Sequence, residues 1–242
     1  MKYLVQAISF LSILPFHDDD AFSPAKALPW FPVVGLILGA MISMLDGVLL
    51  WLWPKSVASV VDIVLLAALS GAFHLDGLGD TADGLLGYRS RDRALEIMKD
   101  SRVGAMGVVA IASCLILKWA ALAAVGPERT LLLILIPALS RATALIAMKT
   151  LPYGRQSGTG KAFFDEPVPW VAWAIGVLPV LACAVLGWRA LLLLGVYAAS
   201  VLIVLGWYRK RMGCITGDMM GGLIEVSETA LLLAAALGGG GC

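Results

Sequence analysis

Seven apolar runs, separated by polar connections, divide this chain: residues 31–53, 57–73, 104–125, 131–151, 168–188, 190–208 and 222–238. Each is about 17–23 residues long, enough for an α-helix to cross a hydrocarbon core of about 30 Å. A segment in lipid must satisfy its own backbone hydrogen bonds, so it is a helix or a strand of a closed barrel. The runs are continuously apolar and lack the alternation of barrel strands. The pattern predicts an all-α fold, a polytopic integral membrane helix bundle of about seven transmembrane helices, as one domain over residues 1–242. Two runs are irregular. The second is short and carries Asp62, and the last carries Glu225 and Glu228, whose turns must face protein rather than lipid. Ahead of the runs, residues 1–14 are apolar but too short to span, which predicts an interfacial helix. Pro24 and Pro29 argue against helix in the polar loop that follows.

Charge placement gives an orientation. Arg89, Arg91, Arg93, Lys99 and Arg102 lie between the second and third runs, Arg155 and Lys161 between the fourth and fifth, and Arg209, Lys210 and Arg211 between the sixth and seventh. The alternate connections carry only Lys55, Arg129 and Arg189. Lysine and arginine collect on the cytoplasmic face. The expected location is therefore the cell (inner) membrane, multi-pass, with residues 74–103 as a cytoplasmic loop. Hydrophobic residues make up 60% and charged residues 14%, against roughly 25% charged in soluble domains, which excludes a soluble class. A net charge of +1 with charges segregated by position gives no sign of a nucleic-acid partner. The expected partners are small molecules and the lipid bilayer, and the pattern leaves homo-oligomer formation open. Cys114, Cys183, Cys214 and Cys242 show no metal-type pairing and read as packing residues.

The densest chemistry lies at residues 74–107. Asp76, Asp80 and Asp83 are spaced i, i+4, i+7, which on a helix puts three carboxylates on one face. They repel one another unless a cation sits among them, and hard carboxylate oxygens suit magnesium, manganese or calcium rather than zinc. The bland alternative is a solvated acidic loop with no ligand. The gaps do not fit an EF-hand, and Gly77 and Gly79 lack the rest of a dinucleotide fingerprint. Beside Lys99, Asp100 and Arg102, the acidic face suits a metal-bound diphosphate. Cations stabilise the charge growing on a departing phosphate, and a spare carboxylate takes the proton of an incoming hydroxyl.

Other candidates are weaker. The Gly-rich turn at 152–161 holds Arg155 and Lys161 but lacks the order of a P-loop, so a flexible loop fits it equally. Asp218 falls on one face with Glu225 and Glu228 if the last helix starts early enough. Arg141 lies too deep in its run to snorkel and predicts a functional or paired cation. Lys118 and Lys149 read as snorkelling residues near span ends. His17 beside Asp18, Asp19 and Asp20 reads as a solvated loop.

The run HLDGLGDTADGL at 74–85, followed by LEIMKDSRVGAMG at 95–107, resembles the adenosylcobinamide-GDP ribazoletransferases, also called cobalamin synthases. The resemblance extends to residues 10–15, to 30–35 with Gly39, and to Thr216-Gly-Asp218-x-x-Gly221 with Glu225 and Glu228. Gly79 and the Tyr88-Arg89-Ser90 run depart from the pattern. The resemblance implies a magnesium-dependent transfer. GDP-activated adenosylcobinamide joins α-ribazole, or its 5′-phosphate, giving adenosylcobalamin (or its phosphate) and GMP. It implies Asp76, Asp80 and Asp83 as metal ligands, with Asp83, Asp100 and His74 as catalytic candidates. It puts Lys99, Ser101 and Arg102 on phosphate, with Arg141, Arg155, Asp218, Glu225 and Glu228 as further substrate-binding candidates. A structural, hydrogen-bonded role for His74 stands equally beside the catalytic one.

Two rivals frame this reading. A CDP-alcohol phosphotransferase would continue Asp83-Gly84 differently, and an intramembrane prenyltransferase would carry two separate acidic motifs, for which only 216–228 offers a second. A cation-coupled transporter would want its carboxylates near mid-span, whereas the densest acids here lie between spans.

Overall fold

The computed structural model describes residues 1–16, 21–156, 158 and 160–237. His17 with Asp18, Asp19 and Asp20, two residues of the Gly-rich turn, and the tail ending in Cys242 lie outside them. Among the described residues the helices are α1 (Lys2–Leu11), α2 (Pro24–Ala27), α3 (Phe31–Leu52), α4 (Lys55–Leu69), α5 (Phe73–Leu85), α6 (Arg91–Ile97), α7 (Ala105–Ala124), α8 (Arg129–Thr150), α9 (Trp170–Ala182), α10 (Arg189–Arg211) and α11 (Gly217–Ala236). The all-α bundle of a multi-pass membrane protein follows from them. Among the described residues five segments are long and apolar enough to cross a membrane: Pro24–Leu52, Ala105–Ala124, Arg129–Thr150, Arg189–Arg211 and Gly217–Ala236.

The expected count of about seven is met only in part, for two physical reasons. The run at 57–73 stops at Leu69, because Ser70 turns its hydroxyl back onto the Leu66 and Ala67 carbonyls and the chain then turns left-handed at Gly71 and Ala72. Beyond that break α5 sets off at 88° to α4, so the pair is at most one broken span. The run at 168–188 yields only the shorter apolar helix Trp170–Leu186, where Pro179 interrupts the ladder and the last turn tightens to 3-10 at Cys183–Leu186.

Three local expectations are corrected. Residues 74–103 are not simply a loop but hold α5 and α6. Pro24 and Pro29 do not block helix, since each occupies a first-turn position where its missing amide costs nothing. Arg129, counted with the connection between the third and fourth runs, belongs instead to the first turn of α8. It is buried, bonding Asp46 at 2.8 and 2.9 Å, Asp62 at 2.6 Å, Ser59 at 2.9 Å and the Leu122 carbonyl at 2.7 Å.

The basic connections come together at one end of the bundle. Arg211 donates to the Leu85 and Gly87 carbonyls, Arg155 to the Met98 carbonyl and Arg209 to the Thr150 carbonyl. The other end is tied by Arg189 to Glu128 at 2.6 Å. Near the middle runs α11, packed against α5, α7, α8 and α10.

Candidate active site

On its own α5 is neither long nor apolar enough to cross a membrane, and its residues serve packing and chemistry on opposite sides. His74, Leu75, Thr81, Ala82 and Leu85 are buried. Asp76 is exposed, and Asp80 and Asp83 are half-buried on the shared face that their spacing predicted. The helix crosses α11 closely at Gly77, where a methyl group would lie 2.7 Å from the Asp218 carbonyl oxygen. That approach brings Asp218, in the first turn of α11, against the α5 carboxylates. Helix α11 begins at Gly217, capped by the Thr216 hydroxyl on the Met219 amide, so Asp218 joins the helix as the sequence allowed. Burial pushes the Asp80 carboxyl up to about 7, helped by the like charges of Asp218, Asp76 and Asp83 and opposed by Arg155.

The other carboxylates have partners. Asp83 accepts from the amides of Gly104 (2.6 Å) and Gly107 (2.9 Å) and so caps α7. Asp218 is held by Arg155 through its Oδ2. Asp100 is gripped by the Arg102 guanidinium at 2.6 and 3.0 Å, which holds its carboxyl down at about 2. Lys99 and Ser101 are exposed on the same turn. Beside Asp83 opens a cleft of about 520 Å³, walled by Asp83, Asp100, Arg102 and by Arg89 and Arg93 of the α6 region. Arg89 and Arg93 were not singled out from sequence; their only signal was membership of a basic run.

Arg141, Glu225 and Glu228 form a separate group, deeper in the bundle. Lys118 bonds Glu225 at 2.6 Å and Glu228 at 2.7 Å, Arg141 lies 3.6 Å from Glu228, and Ser140 donates to Glu228 at 3.0 Å. Lys118 is thus no snorkelling residue but a buried partner, and Cys114 reaches Glu225 from one turn earlier. Two acids inside an apolar span demanded cations, which was the signal available for Lys118. His74 is 2% exposed between the two groups, and its Nε2 has no hydrogen-bond partner among the described residues.

The donors suit a hard divalent cation. Among the described residues no three acids, histidines or cysteines are grouped as a metal cage. Magnesium does not require one, since it takes one or two carboxylates together with water and substrate phosphates. The mutual repulsion felt at Asp80 is what such an ion would relieve.

Residues 3–236 match the family model described as Cobalamin-5-phosphate synthase. The chain belongs to that family. It is similar to the adenosylcobinamide-GDP ribazoletransferases of Syntrophobacter fumaroxidans (39% identical, 95% of this chain and 96% of the relative), Ectopseudomonas mendocina (38%, 96% and 97%) and Herpetosiphon aurantiacus (34%, 96% and 95%). No solved structure matches the chain. For a cobalamin synthase the arrangement at α5 has a direct chemical sense, because an acidic face and an arginine-lined cleft share Asp83.

Proposed function

We propose that the carboxylate face of α5 and the arginine cleft beside it are where this transferase joins GDP-activated adenosylcobinamide to α-ribazole or its 5′-phosphate. The observation that carries the reading is Asp83, common to the acidic face and to the cleft wall. The ribose hydroxyl oxygen bonds to the phosphorus on the corrinoid side, the bridging P–O bond breaks, and GMP leaves with that electron pair. One or two carboxylates of the Asp76, Asp80 and Asp83 face would hold magnesium together with the substrate phosphates, and the ion would supply charge neutralisation on the diphosphate. Arg102, Lys99 and Ser101, with Arg89 and Arg93, meet the guanosine-side phosphate and stabilise the charge it gains. Asp218, fixed through Oδ2 by Arg155, takes the hydroxyl proton on its Oδ1. Asp100 acts through Arg102 by setting its direction.

In this reading the end that gathers the basic connections is cytoplasmic, where nucleotides are, and α9 is a short crossing that completes an odd number of passes. The test is GMP release by purified protein in lipid, supplied with adenosylcobinamide-GDP, α-ribazole and magnesium. Wild type releases GMP and Asp80→Ala does not. Full activity of Asp80→Ala would overturn the assignment of the site.

A further inference from the structure

A reaction between two nucleotide-like substrates brings two different bases to one short helix, and the cavities at its two ends differ in kind. The cleft at the C-terminal end of α5 is open and lined by charge. At the N-terminal end lies an apolar cavity walled by Phe10, Phe31, Phe73 and Phe163, with Gly217 and His74 in its wall. The rings pack on one another: Phe10 stands 5.1 Å from Phe163, 5.6 Å from Phe73 and 5.9 Å from Phe31, centroid to centroid. His74 belongs to that wall, and its buried Nε2 has no hydrogen-bond partner among the described residues.

We propose that this aromatic cavity receives the benzimidazole base of the acceptor riboside, with His74 meeting its unsubstituted ring nitrogen; the assignment rests on the transferase reading above. Guanine carries hydrogen-bonding atoms around most of its edge, and a phenylalanine wall would leave them unsatisfied. Benzimidazole presents one free ring nitrogen and an otherwise hydrocarbon edge, which a phenylalanine cage with one imidazole nitrogen complements. Gly217 in the cavity wall is the neighbour of Asp218, so a ribose attached to a base held there emerges beside the carboxylates. The cavity is about 30 Å³, the scale of one water molecule. The base therefore enters as Phe10, half-buried in the last turn of α1, withdraws from the other rings. The two bases are thereby sorted by polarity to opposite ends of α5, and the reacting atoms meet between them.

Ala144 of α8 also lines the cavity. Ala144→Leu should raise the acceptor KM at least tenfold while the donor KM and direct GDP binding stay within twofold of wild type. An unchanged acceptor KM, or equal shifts for both substrates, would overturn the assignment. Retained GDP binding is the check that the variant is folded. Wild-type protein labelled with a photoreactive azidobenzimidazole riboside decides the matter if Ala144→Leu does not fold. Labelling of the segments around Phe31 and Phe163 supports the cavity, and labelling around Arg89–Arg102 refutes it. Because labelling needs no turnover, it separates failure of the cavity assignment from failure of the transferase reading, which absent GMP release would report.

Discussion

Carboxylates that look alike in the sequence have different duties in the fold. Asp83 has both oxygens on amides at the start of α7, while Asp76, two turns earlier on the same face, stands exposed. Asp83→Ala should therefore lose activity and also a helix cap, costing about 1 kcal/mol and lowering Tm by roughly 2–4 °C. Asp76→Ala should lose activity with Tm unchanged; differential scanning of both variants in detergent, beside the GMP assay, separates the two. The shared face was legible from i, i+4, i+7 spacing alone. The capping was not, because Gly104 and Gly107 lie some twenty residues on and nothing local couples them to Asp83. Lys118 teaches the complementary lesson. Its position in a span suggested a snorkelling side chain, yet the acids that claim it come from a helix more than a hundred residues away. Lys118→Met strands those acids in an apolar interior and should cost about 3 kcal/mol or more. Adding Glu225→Gln restores charge balance with Arg141 and should recover most of that loss in thermal stability.

Among the elements, α5 owes its placement to a break rather than to its own propensity. Gly71 and Ala72 both take left-handed backbone, with φ of 60° and 54°. Only Ala72 is strained there, since a Cβ in that conformation costs about 1–2 kcal/mol. Ala72→Gly should raise Tm by a few degrees without changing turnover, whereas a fall in Tm would show that the side chain has another use. The apolar run from residue 57 to 73 was marked as irregular only for its shortness and Asp62, and its hydropathy did not place the stop, because hydropathy records which solvent a residue prefers and not the sign of its φ. The same blindness shortened the run at 168–188, where Pro179 sits among apolar residues. Helices α3, α7, α8 and α10 followed their apolar runs closely, and α11 began earlier than its run because Thr216 caps it ahead of the apolar residues.

At the scale of the whole molecule, the connections rich in lysine and arginine converge on the end that carries α5 and α6. Their parity was readable from charge placement; their mutual bonding depended on long-range packing that no local pattern encodes. If that end is cytoplasmic, Ser101→Cys should react with a membrane-impermeant maleimide in inverted vesicles and stay unlabelled in intact cells. Chelation with EDTA should abolish GMP release and added magnesium restore it, with unchanged helical content by circular dichroism, because the carboxylate face is not needed to close the bundle. The central group of Lys118, Arg141, Glu225 and Glu228 has one further consequence. Two positive and two negative charges sum to zero, so a transmembrane potential finds no net charge there to drive, although each unpaired charge crossing about 100 mV would feel roughly 2.3 kcal/mol. The middle of the bundle is in that sense electrically silent, and the enzyme should work at the same rate in energised and de-energised vesicles.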